Sequence, residues 1–379
     1  MTTAAVPSLT IRRAEPRDAA LFAALFCDSA MLPFTQIPSY SGATYWDKRL
    51  GEYADAASLP LVAFAGEALV GVLLLRAFPN HVRRKHAGVL DLLAVRPDQR
   101  RRGVGRALLN AAVRAADEGL QLRRIEVNVP RRSNHAGNTA TPLEQFYASF
   151  GFELEGVKRF DLAQAGGYAD SATLARVNPA TMPAPPSPAL PAAKRPRRSV
   201  PAKVVIRPAT EDDAEGFARV FADRSAALGT LQHPYTTAEL WRTRLAAGGP
   251  GNRQAMFVAL VNGRVVGNAG VHPVSDNPRL RHVCGIGIAI SSRHQGLGIG
   301  RALMNYTLDF AERWANYSRI ELTVHADNAR AVQLYESLGF IHEGRHRDFS
   351  FRDGGYVDAL FMARLTAALL AVARPGATA

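Results

Sequence analysis

Apolar positions along the chain fall into two kinds of run, and the same succession of runs occurs twice. In the second half, Val204 to Arg207 opens as a strand, followed by a helix expected from Glu211 to Ala227. Thr237 stands at a capping position before a helix over Ala238 to Ala247. Ala255 to Val261 and Val265 to Val271 flank Asn262-Gly263, a dipeptide that favours a tight hairpin turn. Val283 to Ile290 alternates small and apolar residues, as a buried strand does. Arg301 to Trp314 is amphipathic at helical spacing, Arg319 to Val324 reads as a strand, and Ala329 to Leu338 as a helix stopped by Gly339. In the first half, Leu61 to Leu75 is broken by Glu67 and Gly71 and reads as two buried strands around a turn. Thr141-Pro142-Leu143-Glu144 forms a capping box with proline at the first helical position, and that helix ends at Phe150-Gly151. Each half thus reads as strand, two helices, three strands, helix, strand, helix, two strands. The pattern predicts an α/β (α+β) class: two tandem folds, each a mixed, largely antiparallel twisted sheet with helices on both faces.

The repetition extends to residue identities. Ile11-Arg12-Arg13-Ala14 returns as Ile206-Arg207-Pro208-Ala209, and Gly103-Val104-Gly105-Arg106-Ala107-Leu108 as Gly298-Ile299-Gly300-Arg301-Ala302-Leu303, both at an offset of 195. Gly166-Gly167-Tyr168-Ala169-Asp170 matches Gly354-Gly355-Tyr356-Val357-Asp358 at 188, so the first copy carries a loop seven residues longer. Two domains are expected, 1–178 and 204–379, joined by a spacer over 179–203.

Composition refines this picture in three places. The spacer holds eight prolines and five basic residues without an acid, and supplies five of the chain's 13 excess positive charges. Its Lys194-Arg195-Pro196-Arg197-Arg198 cluster offers an acidic partner a surface, but a solvated linker explains it without nucleic acid. The cysteines, Cys27 and Cys284, support neither a disulfide framework nor a metal motif, so no metal is expected and a cytoplasmic setting is the default. No apolar run is long enough to cross a bilayer, and no secretory signal is read at the N-terminus.

Two glycine-rich turns carry the first candidate chemistry. Ile288-Ala289-Ile290 leads through Gln295-Gly296-Leu297-Gly298-Ile299-Gly300 into a helix, and Leu93-Ala94-Val95 leads likewise through Arg100-Arg101-Arg102-Gly103-Val104-Gly105. A strand ending in glycines at a helix start exposes backbone N–H groups at the positive end of a dipole, a site for phosphate or pyrophosphate. The sequence excludes a Walker loop, which needs Gly-Lys-Ser/Thr, and a dinucleotide fingerprint, because Arg301 and Arg106 stand where its third glycine belongs. Gln295-x-x-Gly298-x-Gly300 and Arg100-x-x-Gly103-x-Gly105 resemble the acyl-CoA pyrophosphate loop of the GCN5-related N-acetyltransferase (GNAT) superfamily. The resemblance implies acetyl-CoA (CoA) as cofactor, a strand that splays from its neighbour, and pantetheine pairing with Ile288 to Ile290 and Leu93 to Val95.

Asn328, Ala331 and Tyr335 share one helical face, and a small residue between the polar ones lets a ligand lie close. Tyr335, with an ordinary pKa of about 10, can protonate a departing thiolate of about 8.5; packing in the core is the other reading. The segment resembles the family's N-x-x-A-x-x-x-Y helix, which implies that Asn328 contacts the CoA arm and Tyr335 is the general acid. The first copy keeps Tyr147, but Ala140 and Leu143 replace the Asn and the Ala, with Asn134 or Asn138 as candidate substitutes. Neither cysteine recurs in the other copy, which favours direct transfer over an acyl-enzyme. Glu321 and its counterpart Glu126 are candidate bases for the attacking amine, a structural salt bridge being the alternative.

The second copy resembles the bacterial L-amino-acid N-acetyltransferases over nearly all of 204–365. The likeness runs through Thr230-Leu231-Gln232-His233-Pro234, Trp241-Arg242, Arg319-Ile320-Glu321-Leu322-Thr323-Val324, Asp327-Asn328 and Tyr356-Val357-Asp358-Ala359. It implies a small-molecule amine as acceptor, with Gln232 and Gln36 in the acceptor pocket and Tyr356 and Asp358 closing its other wall. The alternatives are acetylation of a protein N-terminus or lysine, and a non-catalytic first copy that senses acyl-CoA or serves as a built-in dimer partner. A further homodimer is left open.

Overall fold

The computed structural model describes residues 9–28, 31, 37, 41–131, 140–164, 166–190, 203–246 and 253–372. The chain divides into two compact units, Met1–Val157 with Ala169–Pro183, and Lys158–Tyr168 with Ala184–Ala379. The second unit thus takes in a short hairpin tip and part of the Pro-rich stretch, which the spans read from sequence do not anticipate.

The first repeat runs β1 (Leu9–Arg13), α1 (Ala19–Phe26), α2 (Ala43–Gly51), β2 (Leu59–Ala65), β3 (Ala68–Ala77), β4 (Ala87–Val95), α3 (Val104–Arg114), β5 (Arg124–Arg131), α4 (Pro142–Ala148), β6 (Glu153–Gln164) and β7 (Gly167–Val177). The second runs β8 (Val204–Pro208), α5 (Ala214–Ala222), α6 (Arg224–Leu228), α7 (Ala238–Ala246), β9 (Ala255–Val261), β10 (Arg264–Pro273), β11 (Val283–Ile290), α8 (Ile299–Asp309), β12 (Arg319–His325), α9 (Ala329–Glu336), β13 (Ile341–Arg352), β14 (Gly355–Leu365) and α10 (Ala367–Val372). The strand orders are β1-β2-β3-β4-β5-β7-β6 and β8-β9-β10-β11-β12-β14-β13. Among the described strand pairs β4 with β5 and β11 with β12 run parallel and the others antiparallel, so the mixed, largely antiparallel sheet is as expected.

Helices cover both faces. On one face of the second unit, α8 sets Leu303, Met304 and Leu308 into a core with Tyr335, Leu338 and Phe340; on the other, Phe217, Phe221 and Trp241 pack together. Trp241 stacks on Phe221 at 4.9 Å, and in the first unit Trp46 stacks on Phe26 at 4.7 Å. The repeat is also kept in buried polar chemistry. Arg12 forks onto Asp18 and Arg207 onto Asp213, fastening each first strand to the turn before its first helix.

Local signals mostly act as read. Asn262 and Gly263 are both left-handed (φ 50° and 72°), the conformation a two-residue hairpin needs. Thr141 and Glu144 form the reciprocal capping box on α4. One expectation is corrected: the helix over 211–227 is a 3-10 turn, Glu211–Asp213, then α5 and α6, broken at Asp223 (ψ 107°). The break gives the Asp223 carboxylate two donors that a continuous helix would deny it: the Ser225 amide at 3.1 Å and the Ser292 amide at 2.6 Å. The helix expected over 301–314 begins at Ile299 and closes with a π-helical turn, Phe310–Trp314.

Candidate functional site

Each unit carries a gap in its sheet beside a glycine turn. In the second, β11 and β12 pair only over Val283–Gly285 and Arg319–Glu321, although β11 runs on to Ile290 and β12 to His325. In the first, pairing covers Ala87–Val89 and Arg124–Glu126, while β4 runs on to Val95. The far edges of β11 and β12 are paired throughout these segments with β10 and β14, so the splay leaves only the facing edges open. Half-buried Ile288 and Ile290, and Leu93 and Val95, lie on the strands that border the gaps.

The turns end in left-handed glycines that cap the next helix: Gly298 (φ 77°) before α8 and Gly103 (φ 85°) before α3. Gly296 is also left-handed (φ 78°), and its counterpart Arg101 holds φ 64° without glycine's freedom. The first N–H groups of α8 and α3 lack intrahelical acceptors and face the turn, an anion cradle reinforced by the helix dipole. Gly300 and Gly105 stand beside Leu334 of α9 and Phe146 of α4. Gln295 and Arg100 fasten the turn rather than reaching out from it. Gln295 Nε2 donates to Ile290 O at 2.9 Å and its Oε1 accepts from Arg330 Nη1; Arg100 Nε donates to Val95 O at 3.2 Å. Arg301 donates to Ser337 Oγ, Arg106 lies over the Phe150 ring, and Arg101 and Arg102 are exposed.

Asn328 is the N-cap of α9, its Oδ1 accepting from the Ala331 amide at 3.3 Å. Ala331 is half-buried. Tyr335 is buried and edge-on to Phe340, and its hydroxyl has no hydrogen-bond partner among the described residues. Burial pushes its phenol up, so it stays protonated at neutral pH. In the first unit Tyr147 is likewise buried, edge-on to Phe152, and its phenol pushed up by burial. There Thr141 caps α4 and leaves Ala140 with no polar side chain to offer; Asn134 and Asn138 lie outside the described residues.

A third group of residues faces the β12–α9 junction. His325 is buried, its Nδ1 3.0 Å from Leu228 O and its Nε2 2.9 Å from Ser350 Oγ, so the proton sits on Nδ1. A Cβ added to Gly229 would come within 3.3 Å of Asn328 Nδ2, which brings the segment after α6 against the cap of α9. Gln232 Oε1 accepts from Arg244 Nη1 at 3.0 Å, and the Arg244 guanidinium lies over Trp241. Gln36 is outside the described residues. Tyr356 is buried edge-on to Phe351, and Asp358 accepts from Arg345 Nε and from the Asp348 amide, holding an irregular stretch of β13.

Glu321 lies where β11 and β12 part, opposite Gly285. Within the second unit it accepts from Lys158 Nζ and Arg319 Nη2, both at 3.2 Å, and Arg319 forks onto Glu343. Burial pushes the Glu321 carboxyl up, but the two cations outweigh it and hold it below the usual carboxylate range. Glu126 in the first unit meets Arg84 and Arg124. Buried Cys284 has its thiol pushed up by burial, which suppresses the nucleophilic thiolate. No group of metal-ligating side chains occurs among the described residues, and no helix there is long and apolar enough to cross a membrane.

Sequence reading missed His325, Arg330 and Asp223. His325 and Arg330 flank the Asp327-Asn328 pair, and only that proximity to a suspected motif could have flagged them; Asp223 had no signal inside an apparently continuous helix.

Comparison with known proteins places these features in company. The model of the acetyltransferase (GNAT) family matches residues 24–152 and 220–340. The chain is 38% identical over 163 residues to the L-amino acid N-acetyltransferase AaaT of Escherichia coli K12, covering 98% of that protein and 43% of this chain. It is 32% identical over 123 residues to the ribosomal protein bS18-alanine N-acetyltransferase of Escherichia coli K12, covering 79% of that protein and 32% of this chain. Among solved structures, a GNAT-family acetyltransferase from Streptococcus pneumoniae aligns with a TM-score of 0.40 at 25% identity, covering all of that chain and 43% of this one.

Proposed function

Because the chain belongs to the acetyltransferase (GNAT) family, we propose that its second unit moves an acetyl group from acetyl-CoA directly onto the primary amine of a small molecule, an L-amino acid. The observation that carries this reading is the splayed β11–β12 gap, whose open end is bordered by the Gly298 turn after β11 and by the helix of Asn328 and Tyr335 after β12. The residues fit the cofactor: open strand edges suit its amide-bearing arm, and the α8 amides suit its pyrophosphate. Bound there, acetyl-CoA supplies an activated thioester. Tyr335 then holds a proton ready for the sulfur as the C–S bond breaks and the new C–N bond forms. The amine would approach that carbon beside Gly229, where an added Cβ would lie 3.3 Å from Asn328 Nδ2, and its surplus proton would leave to water. We assign Glu321 to holding Arg319 and Lys158, since a carboxylate kept below its usual range is a weak base.

Similarity to an L-amino acid N-acetyltransferase over almost that protein's whole length supports the acceptor class. The first unit, with its splay and turn but with Ala140 before and Leu143 on the facing helix, is proposed to bind acyl-CoA without turning it over. Purified full-length protein incubated with acetyl-CoA and a panel of the L-amino acids should release free CoA with several of them. Release with none of the panel, while a peptide N-terminus is acetylated, would overturn the small-molecule assignment.

A further inference from the structure

Part of the Pro-rich stretch is built into the second unit. Ser187 N donates to Tyr356 O at 2.6 Å and Tyr356 N to Pro185 O at 3.0 Å, so this stretch pairs with the first turn of β14. Gly355 makes the approach possible: an added Cβ would fall within 2.6 Å of three backbone atoms, Pro185 O, Ser187 N and Pro186 C. Backbone cannot swing aside as a side-chain end can. Arg352, with 1% of its surface exposed, ties the stretch to the site. Its Nε donates to Ser187 Oγ and its Nη2 to Pro188 O, while Nη1 and Nη2 fork onto Asp327 at 3.0 and 2.6 Å. Leu190 N donates to the same carboxylate at 2.9 Å.

Asp327 immediately precedes Asn328, the cap of α9. Burial pushes the Asp327 carboxyl up, but Arg352 and the Leu190 amide outweigh it and keep it ionised. The first repeat lacks the device. Gln164 stands where Arg352 does, and a Cβ on Gly167, the counterpart of Gly355, would meet nothing within 4 Å.

The geometry points to Ala184–Leu190 as a strap that fixes the start of α9, with Arg352 as the positioning residue that couples it through Asp327 to Asn328. Docked, the strap presents Asn328 and Tyr335 to the acyl donor in one arrangement; displaced, it leaves the same residues on a loosened helix start. The inference rests on the proposed reading of the second unit as the transferase site. It assigns the inter-repeat segment a part in donor binding rather than in spacing alone.

Three variants of the full-length chain test it. Gly355→Ala expels the strap by contact, and Leu190→Pro deletes one donor to Asp327 on a partly exposed residue outside the cores. Hydrogen exchange should show slow amides at Ser187 and Leu190 in the wild type and a fast Ser187 amide in Gly355→Ala. The KM for acetyl-CoA should rise about tenfold in Gly355→Ala and about fivefold in Leu190→Pro, with the KM for the amine changed less than about twofold. Arg352→Lys, which keeps the charge but loses the fork, should fall between wild type and Gly355→Ala. Fast exchange at Ser187 and Leu190 in the wild type overturns the strap whatever the activity. An unchanged donor KM with the strap released, or equal rises in both KM values, overturns the coupling. If the wild type acetylates no amine, the functional reading falls, and calorimetry with CoA still decides the strap: Gly355→Ala must weaken the second unit's binding about tenfold.

Discussion

Replacing Tyr335 by Phe removes one oxygen from a buried ring whose hydroxyl has no hydrogen-bond partner among the described residues. The ring's edge contact with Phe340 at 5.9 Å survives the change, so stability should move by less than about 1 kcal/mol. Catalysis should not be spared. Without an acid, the sulfur departs as a thiolate with a conjugate-acid pKa of about 8.5. At pH 7 that forgoes about 1.5 units of protonation, or about 2 kcal/mol at 1.36 kcal/mol per unit, a loss of about thirtyfold in kcat. The sign of the pH dependence follows from the same arithmetic. As pH rises through the thiol's pKa the thiolate becomes the stable product and the acid ceases to matter, so the wild-type to variant ratio should shrink to below about threefold near pH 9. Protonation of the attacking amine affects both proteins alike and cancels in the ratio. The assay is CoA release under saturating acetyl-CoA and amine, from pH 6.5 to 9.5, with a melting curve for each protein. A ratio near one throughout would refute the acid role. A large ratio independent of pH would refute this account of it and point to ring placement instead.

Other consequences can be measured on the same preparations. Tyr147→Phe should leave kcat within about twofold, because Ala140 and Leu143 unfit the first unit for transfer; a loss as large as that from Tyr335→Phe would make both units catalytic. Gly298→Ala forces a side chain to φ 77°, costing about 1–2 kcal/mol, and should raise the KM for acetyl-CoA together with a lowered melting temperature. Arg319→Met strands Glu343 and Glu321 in a buried place and should destabilise the second unit by about 3–5 kcal/mol, visible as a separate early melting transition. For Asp18→Asn the expectation concerns pH. The side-chain bonds from Arg12 hold the Asp18 carboxyl below its usual range, so its contribution is complete above the unfolded value of about 3.9 and fades as pH falls through the folded one. The variant should lose about 1–3 kcal/mol at pH 7 and approach the wild type as pH falls below the lowered folded value; a gap that persists undiminished in acid would contradict the assignment.

What could be read from the sequence was what repeats or has a short-range cause. The glycine turns, the Asn262-Gly263 hairpin and the Thr141 capping box are written in neighbouring residues, and the offset of 195 exposed the duplicated sheet. Long-range partners were not legible. Nothing local reveals that Glu321, read as either a base or a salt-bridge carboxylate, meets Lys158 as well as neighbouring Arg319. The bonds of Gln295 to Ile290 O and Arg330 are likewise not written in its neighbours, which suggest only a ligand contact. Asp223 broke a helix that amphipathic spacing alone would have continued, because the Ser292 amide that rewards the break lies 69 residues away. The proline stretch was read as a spacer by composition, yet Gly355, whose missing side chain admits it, looks like any hairpin glycine.

The splay between β11 and β12 has a thermodynamic side as well. Each unit stops its parallel pairing after three residue pairs and leaves a short internal edge of backbone on the strands that part. A ligand that completes this edge binds only the folded chain, so every bound donor adds to the free energy of unfolding, by about 2.7 kcal/mol at a hundred times its dissociation constant. The melting temperature therefore becomes a gauge of acyl-donor supply, and a cell short of that donor would hold a softer protein as well as an idle one.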